Sequence, residues 1–294
     1  MMKLTRRIKN SLKCLLGKPI NFKIEPQEYK ITLDQIDIFR GKFIIVTGGT
    51  GAIGSAICYE FAAHGAIVGV CGRDLTKIES IISSVRKNSP SIASKLKPII
   101  LDVNNENQIE LAFSDFVKDF GKLDLLVNNA GGQPGRVGKY NDFLFNKDID
   151  QIDLCLNTNL RGTILCSRIA CQIMSRQRFG HIVSMASVIG IGGKSGYSDY
   201  AASKAAIIGF SKSLALEMAQ FNVRVNCISP GSVNQVPFDY CNYNIQYTEL
   251  NPTHRTGFTK EIAETVSFLE NNKFITGQNI IVDGGRSLGL FGDN

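Results

Sequence analysis

Two side chains that can share a proton stand four positions apart in the segment "DYAASKAAIIGF" (199–210). The segment is rich in alanine, lacks proline and repeats apolar residues at helical spacing, so it predicts a helix. Tyr200 and Lys204 would then be neighbours one turn apart on one face. They could form an ordinary surface pair. Alternatively, the ammonium could favour ionisation of the phenol, so that Tyr200 could exchange a proton near neutral pH.

A glycine-rich loop lies between the first predicted strand and the first predicted helix. Gly49, Gly51 and Gly54 match the pattern G-x-G-x-x-G in the strand–turn–helix context that a dinucleotide-binding loop requires. Glycine lets the backbone approach a pyrophosphate, and a helix N-terminus offers free N–H groups and the positive end of its dipole. The loop therefore favours a nucleotide site over a tight turn that binds no ligand.

The elements that would position these residues alternate along the chain. Short β-branched runs occur at 43–47, 66–71, 98–101, 123–127, 181–185, 223–228 and 279–282, and helical patterns at 53–64, 75–88, 106–120, 150–178, 200–220 and 260–270. This alternation predicts an α/β fold, a doubly wound, Rossmann-like parallel sheet of seven strands with helices on both faces. Ligands of such sheets bind beyond the carboxyl ends of the strands. We expect a basic arm over 1–40 and a single domain over 41–294.

The charge of the chain is concentrated in the arm. The formal net charge is +7, but residues 1–24 hold seven basic and no acidic residues, so the rest of the chain is balanced. A balanced body argues against nucleic-acid binding. The apolar residues of the arm fall near one helical face. The arm could be a helix that packs on the body or on a partner, a membrane-surface anchor, or a flexible or targeting tail.

Cysteine and histidine usage bounds the compartment and the chemistry. The eight cysteines form no C-x-x-C pair and several lie in apolar patterns, which predicts buried thiols in a reducing compartment. We expect a cytoplasmic protein, with organellar import or peripheral membrane association left open. No apolar run approaches the ~18 residues of a membrane span. The three histidines lack metal-ligand spacing, so no metal site is expected.

Eight motifs occur in order along residues 41–286, and together they resemble the short-chain dehydrogenase/reductases, in their smaller single-domain branch. They are "TGGTGAIG", "LDV", "NNAG", "NLRG", Ser187, "YAASK", "SPG" and "ITGQNIIVDGG". One departure stands at Ala52, where the family's TGxxxGxG pattern has its middle glycine. A methyl group is small, so we expect the nucleotide site to survive.

The resemblance implies a catalytic role for four residues. Tyr200 would be the general acid/base at the substrate oxygen. Lys204 would favour the phenolate and hold the nicotinamide ribose. Ser187 would donate a hydrogen bond to the substrate oxygen as charge develops there. Asn159 would anchor a water that relays protons to Lys204.

The resemblance also implies a set of cofactor contacts. These are Gly48, Thr50, Gly51, Ile53, Gly54, Arg73, Asp102, Val103, Asn129, Ala130, Tyr200, Lys204, Gly231 and Val233. Asp102 would contact the adenine amino group or cap the following helix.

The end of the second strand, "GVCGRD", bears on the choice of nucleotide. The family's NAD-selecting acid usually stands where this chain has Gly72, and Arg73 would suit a 2′-phosphate. Asp74 could read the ribose of NAD, or it could cap the helix that begins at Leu75. NADP(H) is therefore favoured over NAD(H).

The predicted activity is hydride transfer between a nicotinamide cofactor and a carbonyl or secondary alcohol. Residues 232–258 would form a lid, whose tyrosines and amides favour a polar or mid-sized small-molecule substrate. Gln235 replaces a threonine that often contacts the cofactor in the family. Family members usually pair through the helices predicted at 150–178 and 200–220, so we expect a homodimer or tetramer.

Other functions stay open at this point. Basic residues outside the lid could receive an anionic carrier, which makes a 3-oxoacyl thioester reductase the main alternative; they are Arg136, Lys139, Arg161 and Lys194. A non-catalytic nucleotide-binding scaffold or sensor is a further alternative, because a fold alone does not give a function. A membrane-recruited member of an assembly is another.

Overall fold

The computed structural model describes residues 37–132, 142–234, 248 and 251–288. Within these ranges, seven parallel strands form one sheet in the order β3–β2–β1–β4–β5–β6–β7. They are β1 Phe43–Val46, β2 Ile67–Gly72, β3 Leu96–Ile100, β4 Leu125–Asn128, β5 Gly180–Met185, β6 Val223–Pro230 and β7 Asn279–Val282. The predicted seven-stranded parallel sheet is confirmed.

Helices connect the strands. They are α1 Ala52–Ala63, α2 Leu75–Asn88, α3 Pro90–Ala93, α4 Glu106–Phe120, α5 Ile149–Leu156, α6 Gly162–Gln177, α7 Ile189–Gly192, α8 Ser198–Ala219 and α9 Thr259–Asn271. Short 3₁₀ turns occupy Leu144–Asn146 and Arg286–Leu288. Among the described helices, none combines the length and the hydropathy that crossing a membrane requires.

The sheet has an apolar core on each face because successive strand side chains point to opposite sides. In β1, Ile44 packs into the core with α1, α2 and α9, whereas Ile45 packs into the core with α4, α6 and α8. Strands covered on both faces are buried along nearly their whole length, which explains the continuous apolar runs of β1 and β4. The doubly wound architecture that the sequence predicts is confirmed.

The strand order reverses at β1, whose neighbours are β2 and β4. The chain leaves β1 for α1 on one face and returns to β4 from α4 on the other face. In sheets of this kind, a crevice opens where the connections diverge, beyond the carboxyl ends of the strands. The topology therefore places a cleft above β1 and β4.

Part of the predicted arm packs on the body. Phe39 is 1% exposed, its ring lies 4.6 Å from that of Phe61 in α1, and its N–H donates to the carbonyl of His64. Residues 1–36 lie outside the described residues. The domain boundary at 40/41 stays a prediction.

The predicted helix at 150–178 is interrupted. The structure divides it into α5, a π-helical turn at Asn157–Arg161, and α6. Thr163 Oγ1, in the first turn of α6, donates to the carbonyl oxygen of Asn159 at 2.7 Å. A π turn adds one residue to a helical turn without a signature in the apolar period, and such turns are frequent at functional sites.

A buried polar cluster lies at the amino ends of β5 and β6, opposite the cleft. His181 Nδ1 contacts Glu270 Oε2 at 3.0 Å, and Asn226 Nδ2 donates to His181 Nε2 at 3.0 Å. The orientation of Asn226 is set because its Oδ1 accepts from the backbone N–H of Gln278. His181 Nε2 must therefore accept. Nδ1 lies 3.0 Å from both Glu270 Oε2 and the Arg224 guanidinium; since the ring needs one N–H and Arg224 can only donate, Nδ1 donates to the carboxylate and the ring is neutral.

The ionisation of this cluster follows from its burial. Burial lowers the pKa of His181 from 6.5 to about 4, although the hydrogen bond with Glu270 opposes the shift. Burial would raise the pKa of Glu270, but hydrogen bonds from His181 and Lys273 hold it below its ordinary value of 4.5. Both groups therefore bind a proton more readily in the unfolded chain. Their contributions to stability are complete above pH 6.5 and are lost on acidification, first from His181 and below pH 4.5 from Glu270 as well.

We predict that His181→Gln reduces the decrease in the free energy of unfolding that occurs as the pH falls. Glutamine keeps one donor and one acceptor but does not titrate, so it should remove up to about 3 kcal/mol of loss between the two His181 pKa values. Urea unfolding at about pH 7 and about pH 5 measures the difference. Equal slopes in wild type and His181→Gln would contradict the assignment.

Candidate active site

The loop between β1 and α1 is built for close backbone contact. Gly48 has φ +62°, and a Cβ there would lie 2.7 Å from Ala130 Cα. A Cβ on Gly54 would lie 2.2 Å from the carbonyl oxygen of Gly48. The loop therefore needs glycine at both positions, although Gly54 itself packs beneath the loop and not along the cleft.

The N-terminus of α1 faces this cleft without a side-chain cap. Gly51 is its N-cap residue and the first turn holds no acidic residue. Free N–H groups and the positive end of the helix dipole are then available to an anionic group. The donor set fits the pyrophosphate of a dinucleotide.

A cleft of ≈ 360 Å³ lies above the carboxyl ends of the strands. Most predicted site residues line it: Gly48, Thr50, Gly51, Ile53, Arg73, Asp102, Val103, Asn129, Ala130, Ser187, Tyr200, Lys204, Gly231 and Val233. Further lining residues that the motifs did not include are Ala52, Cys71, Gly72, Leu101, Asn104, Gly131, Gly132, Thr158, Met185, Ala186 and Pro230. Nearly all of these stand at strand ends, so the rule that ligands bind there could have found them.

Three of the predicted catalytic residues, Ser187, Tyr200 and Lys204, meet at one end of the cleft. Ser187 follows β5 and is 7% exposed, and its Oγ accepts from the N–H of Ile189 at 3.2 Å. Tyr200 lies in the first turn of α8, with Lys204 Nζ 5.7 Å from its ring centroid. Lys204 Nζ donates to the carbonyl oxygen of Met185 at 2.7 Å. The Tyr–Lys pair is thus part of a cleft and not an isolated surface pair.

Burial changes the ionisation of Lys204. Its side chain is enclosed between α8 and β5, which lowers the pKa from 10.5 to about 8, while nearby Cys155 acts in the opposite sense. The ammonium form still predominates at neutral pH. A positive charge then stands beside Tyr200, as stabilisation of a phenolate requires.

Comparison with known proteins identifies the family. A family model described as "short chain dehydrogenase" matches residues 42–239. The chain belongs to the short-chain dehydrogenases. The family resemblance predicted from the motifs is confirmed, and this dehydrogenase is an oxidoreductase that acts on carbonyl or alcohol groups with a nicotinamide cofactor.

Two known proteins are similar to this chain over nearly the full length of each relative. A 3-oxoacyl-[acyl-carrier-protein] reductase FabG of Thermotoga maritima is 34% identical over 249 residues, 83% of this chain and 97% of the relative. Carbonyl reductase family member 4 of Xenopus tropicalis is 34% identical over 247 residues, 84% of this chain and 98% of the relative. Among solved structures, "ElxO with NADP Bound" superposes with a TM-score of 0.73 at 28% identity, covering 83% of this chain and 98% of that chain.

The loops after β1 and β4 are tied together in the dehydrogenase. Thr47 Oγ1 accepts from the N–H groups of Asn129 and Ala130, both at 3.0 Å. Asn129 Nδ2 donates to the carbonyl oxygens of Thr47 and Gly48. Asn128 Nδ2 donates to Ser167 Oγ at 2.9 Å, which fixes the end of β4. The amide nitrogen of Asn129 thus holds the loop while its backbone lines the cleft.

The sequence leaves Asp74 and Asp102 each with two interpretations, a helix cap or a cofactor contact, and their hydrogen bonds differ. Asp74 Oδ1 accepts from the N–H groups of Thr76 and Lys77, so Asp74 caps α2. Asp102 Oδ1 accepts from the N–H of Asn104, whereas α4 is capped by Asn105. Asp74 is thus a helix cap, and Asp102 lines the cleft without capping a helix.

Asn159 lies behind the cleft of the dehydrogenase and is fully buried in the π turn. Its Oδ1 accepts from the N–H of Gly132 at 2.7 Å, and its Nδ2 donates to Ser203 Oγ at 3.1 Å. Ser203 Oγ donates in turn to the carbonyl oxygen of Tyr200 at 2.7 Å. The carboxamide therefore joins the loop after β4 to the helix that carries Tyr200. Its predicted role as a water anchor stays a prediction.

The basic residues and the lid are only partly described. Arg136, Lys139, Gln235 and most of the predicted lid at 232–258 lie outside the described residues. Arg161 donates to the carbonyl oxygen of Asn104 at 3.1 Å. Lys194 Nζ lies 5.3 Å from the ring centroid of Tyr197, which is in edge contact with Tyr200. Of the two that are described, Arg161 and Lys194, Lys194 is the one placed near Tyr200 by its contacts.

We predict that Gly54→Ala disrupts the nucleotide loop. The new methyl would meet the Gly48 carbonyl and the Asn129 amide, so the free energy of unfolding should fall by about 1–3 kcal/mol and affinity for the nicotinamide cofactor should fall with it. Urea unfolding of the cofactor-free protein measures the first effect. Gly51→Ala is the matched control, because its methyl would have 3.4 Å to the nearest atom. Equal stability of the two variants would contradict the packing argument.

Proposed function

We propose that the enzyme transfers a hydride between NADP(H) and the carbonyl or secondary alcohol of a polar or mid-sized substrate. The observation that carries this proposal is the position of Ser187, Tyr200 and Lys204 in the same cleft as the glycine loop. A nucleotide-binding scaffold or sensor would have no use for a phenol and a buried ammonium at that end of the cleft. Catalysis therefore explains more of the site than binding alone.

The proposed roles follow from the contacts. The bound nicotinamide supplies or accepts the hydride. Tyr200 hands a proton to the substrate oxygen during reduction and removes it during oxidation. Lys204 donates one N–H to the Met185 carbonyl, and its other N–H groups can hold the ribose. Its positive charge favours the phenolate form of Tyr200. Ser187 donates a hydrogen bond to the substrate oxygen as its charge changes.

The proposed preference for NADP(H) rests on the end of β2. Arg73 lines the cleft, is exposed, and forms no ion pair with any described residue. The Asp74 carboxylate is occupied by the first turn of α2. A Cβ on Gly72 would lie 3.0 Å from Thr50 Cγ2 and 3.2 Å from Ile78 Cγ1, so the position has little room for the acid that selects NAD. NADP in the ElxO structure is in line with this preference.

A 3-oxoacyl thioester reductase is the second candidate. The Thermotoga maritima relative carries that activity in its name and matches this chain over nearly its full length. Lys194 beside Tyr197 offers a positive charge to an anionic carrier. Comparing turnover of a carrier-bound 3-oxoacyl substrate with turnover of the free substrate would distinguish this function from the reduction of small carbonyls.

We also propose that the enzyme assembles as a homodimer or tetramer. Ile164 in α6 and Leu216 in α8 are exposed apolar residues on the helices predicted to pair. Burying them against a second copy would remove apolar surface from water.

We predict that Tyr200→Phe abolishes most turnover and leaves the cofactor site intact. The change removes one hydroxyl group, so kcat should fall by at least ~10²-fold, as expected for loss of a general acid/base. NADPH affinity should stay close to that of wild type. Steady-state kinetics on the best substrate of a carbonyl panel provide the test, and a variant that retained half of its turnover would refute the proposed role.

We predict that Arg73→Ala erases most of the preference for NADPH. A charge-assisted contact to the 2′-phosphate contributes ~1.5–3 kcal/mol, which corresponds to a preference of ~10- to 150-fold. Because the chain has no tryptophan, quenching of tyrosine emission can report both dissociation constants.

Asp74→Ala is the matched control for this test. It should weaken the cap of α2 but leave the NADPH/NADH ratio unchanged. A wild type that prefers NADH, together with weaker NADH binding in Asp74→Ala, would assign the ribose contact to Asp74 instead.

A further inference from the structure

A buried ion pair lies one residue before Tyr200. Lys147 follows the 3₁₀ turn Leu144–Asn146 and pairs with Asp199 in the first turn of α8. The side chains are 2% and 4% exposed, respectively. Fifty-two positions separate the partners in the sequence, so the pair joins two distant segments.

The pair lies near a group of polar side chains on α5 and α8, namely Cys155, Ser203 and Lys204. Asp199 raises the pKa of the Cys155 thiol in addition to the larger effect of burial, whereas Ser203, Lys204 and Lys147 lower it. These groups therefore lie within electrostatic range of one another. Ser203 also donates to the carbonyl oxygen of Tyr200, so these charged and polar groups lie beside the helix that carries Tyr200.

Stability alone is a weak reason for this ion pair. Removing two charges from water is costly, and apolar residues of similar volume often stabilise a buried site as well or better. Breaking one partner, in contrast, leaves an uncompensated charge. Here an uncompensated Asp199 carboxylate would lie on the residue before Tyr200 in α8.

We propose that the Lys147–Asp199 pair is a positioning element of the catalytic centre: it fixes the segment before α5 to the first turn of α8 and keeps the surroundings of Tyr200 electrically balanced. The proposal rests on the proposed role of Tyr200. Neither Lys147 nor Asp199 lines the cleft, so both act through their effect on Tyr200.

The charges around Tyr200 come from several elements. Helix α8 contributes Lys204 and Asp199, the segment before α5 contributes Lys147, the loop before α8 contributes Lys194, and α5 contributes the Cys155 thiol. Ser187, which follows β5, adds a hydroxyl group. With the ion pair intact, two of these described groups carry a charge without a carboxylate partner: Lys204, beside the Tyr200 ring, and Lys194, beside the neighbouring ring of Tyr197. If Lys147 alone were removed, the Asp199 carboxylate would lose its partner, and its negative charge would counteract the effect of Lys204 on Tyr200.

The test follows the ionisation of Tyr200 without any substrate. Tyrosinate absorbance is titrated in each protein, and the curve of the same protein carrying Tyr200→Phe is subtracted to isolate Tyr200. Lys147→Met should move the Tyr200 midpoint to higher pH by about 0.3–1 unit, the effect of one charge ~10 Å away at intermediate dielectric. Adding Asp199→Asn removes the free carboxylate, so the double variant should return close to the wild-type midpoint.

Controls separate this effect from damage to the fold. Lys122→Met breaks an ion pair with Asp124 at the amino ends of the strands and should leave the midpoint unchanged. Asp199→Asn alone should not raise the midpoint. If Lys147→Met does not fold, Lys147→Gln takes its place. Thermal unfolding checks that every variant is folded.

The outcomes distinguish the inference from the proposed function. An unchanged midpoint in Lys147→Met, or a double variant that stays displaced, would overturn the inference while Tyr200→Phe kinetics could still support catalysis by Tyr200. A midpoint that rises in Lys147→Met and recovers in the double variant would support the inference. Structural damage predicts no such recovery.

Discussion

Where β1 and β4 end side by side, Thr47 and Asn129 hold the two following loops together with four hydrogen bonds. The chain diverges here to opposite faces of the sheet, and a crevice would open without ordered walls if these loops were free. Gly48 must take a positive φ to pass Ala130, and Gly54 must lack a side chain to pack beneath it. The uncapped N-terminus of α1 can face a phosphate only because this contact holds the loop close to the helix.

The opposite end of the cleft depends on a second polar layer. The π turn carries Asn159 into the interior, where its carboxamide joins Gly132 to Ser203, and Ser203 bonds to the carbonyl of Tyr200. Lys204 is held by Met185 at the end of β5. These contacts fix the groups that we propose to move protons before any ligand binds, as electrostatic preorganisation requires. The Lys147–Asp199 pair extends the same layer toward the segment before α5.

The sequence predicted those parts of the enzyme that rest on local period and on strand ends. Apolar runs and helical spacing located all seven strands and the six long helical stretches, one of which the π turn divides. The rule that ligands bind at strand ends predicted the position of the cleft, and the family resemblance assigned Ser187, Tyr200 and Arg73 to it. The edge strand β3 begins two residues earlier than predicted, because an edge strand tolerates Pro98 in its middle. The family itself was identifiable from eight ordered motifs.

Contacts between distant residues leave no local pattern in the sequence. The π turn leaves no trace in the apolar period, and Lys147 looks like any surface lysine until the fold carries it to Asp199. In the sequence, His181 is simply one residue of a predicted strand. In the structure, its ring contacts Glu270 and Asn226 in a buried cluster. Asp74 could be assigned to helix capping only when its hydrogen bonds were seen. In each case, the missing information is which side chains the topology brings together.

The central claim is that this cleft passes a hydride to a carbonyl carbon with Tyr200 as the proton donor. The most direct test supplies NADPH deuterated at the transferring position of nicotinamide, with a panel of small ketones and 3-oxoacyl thioesters. Mass spectrometry of the alcohol products reports the label. We expect one deuterium on the carbinol carbon with the wild-type enzyme and almost no product with Tyr200→Phe. Alcohol without the label, or equal product from Tyr200→Phe, would contradict it.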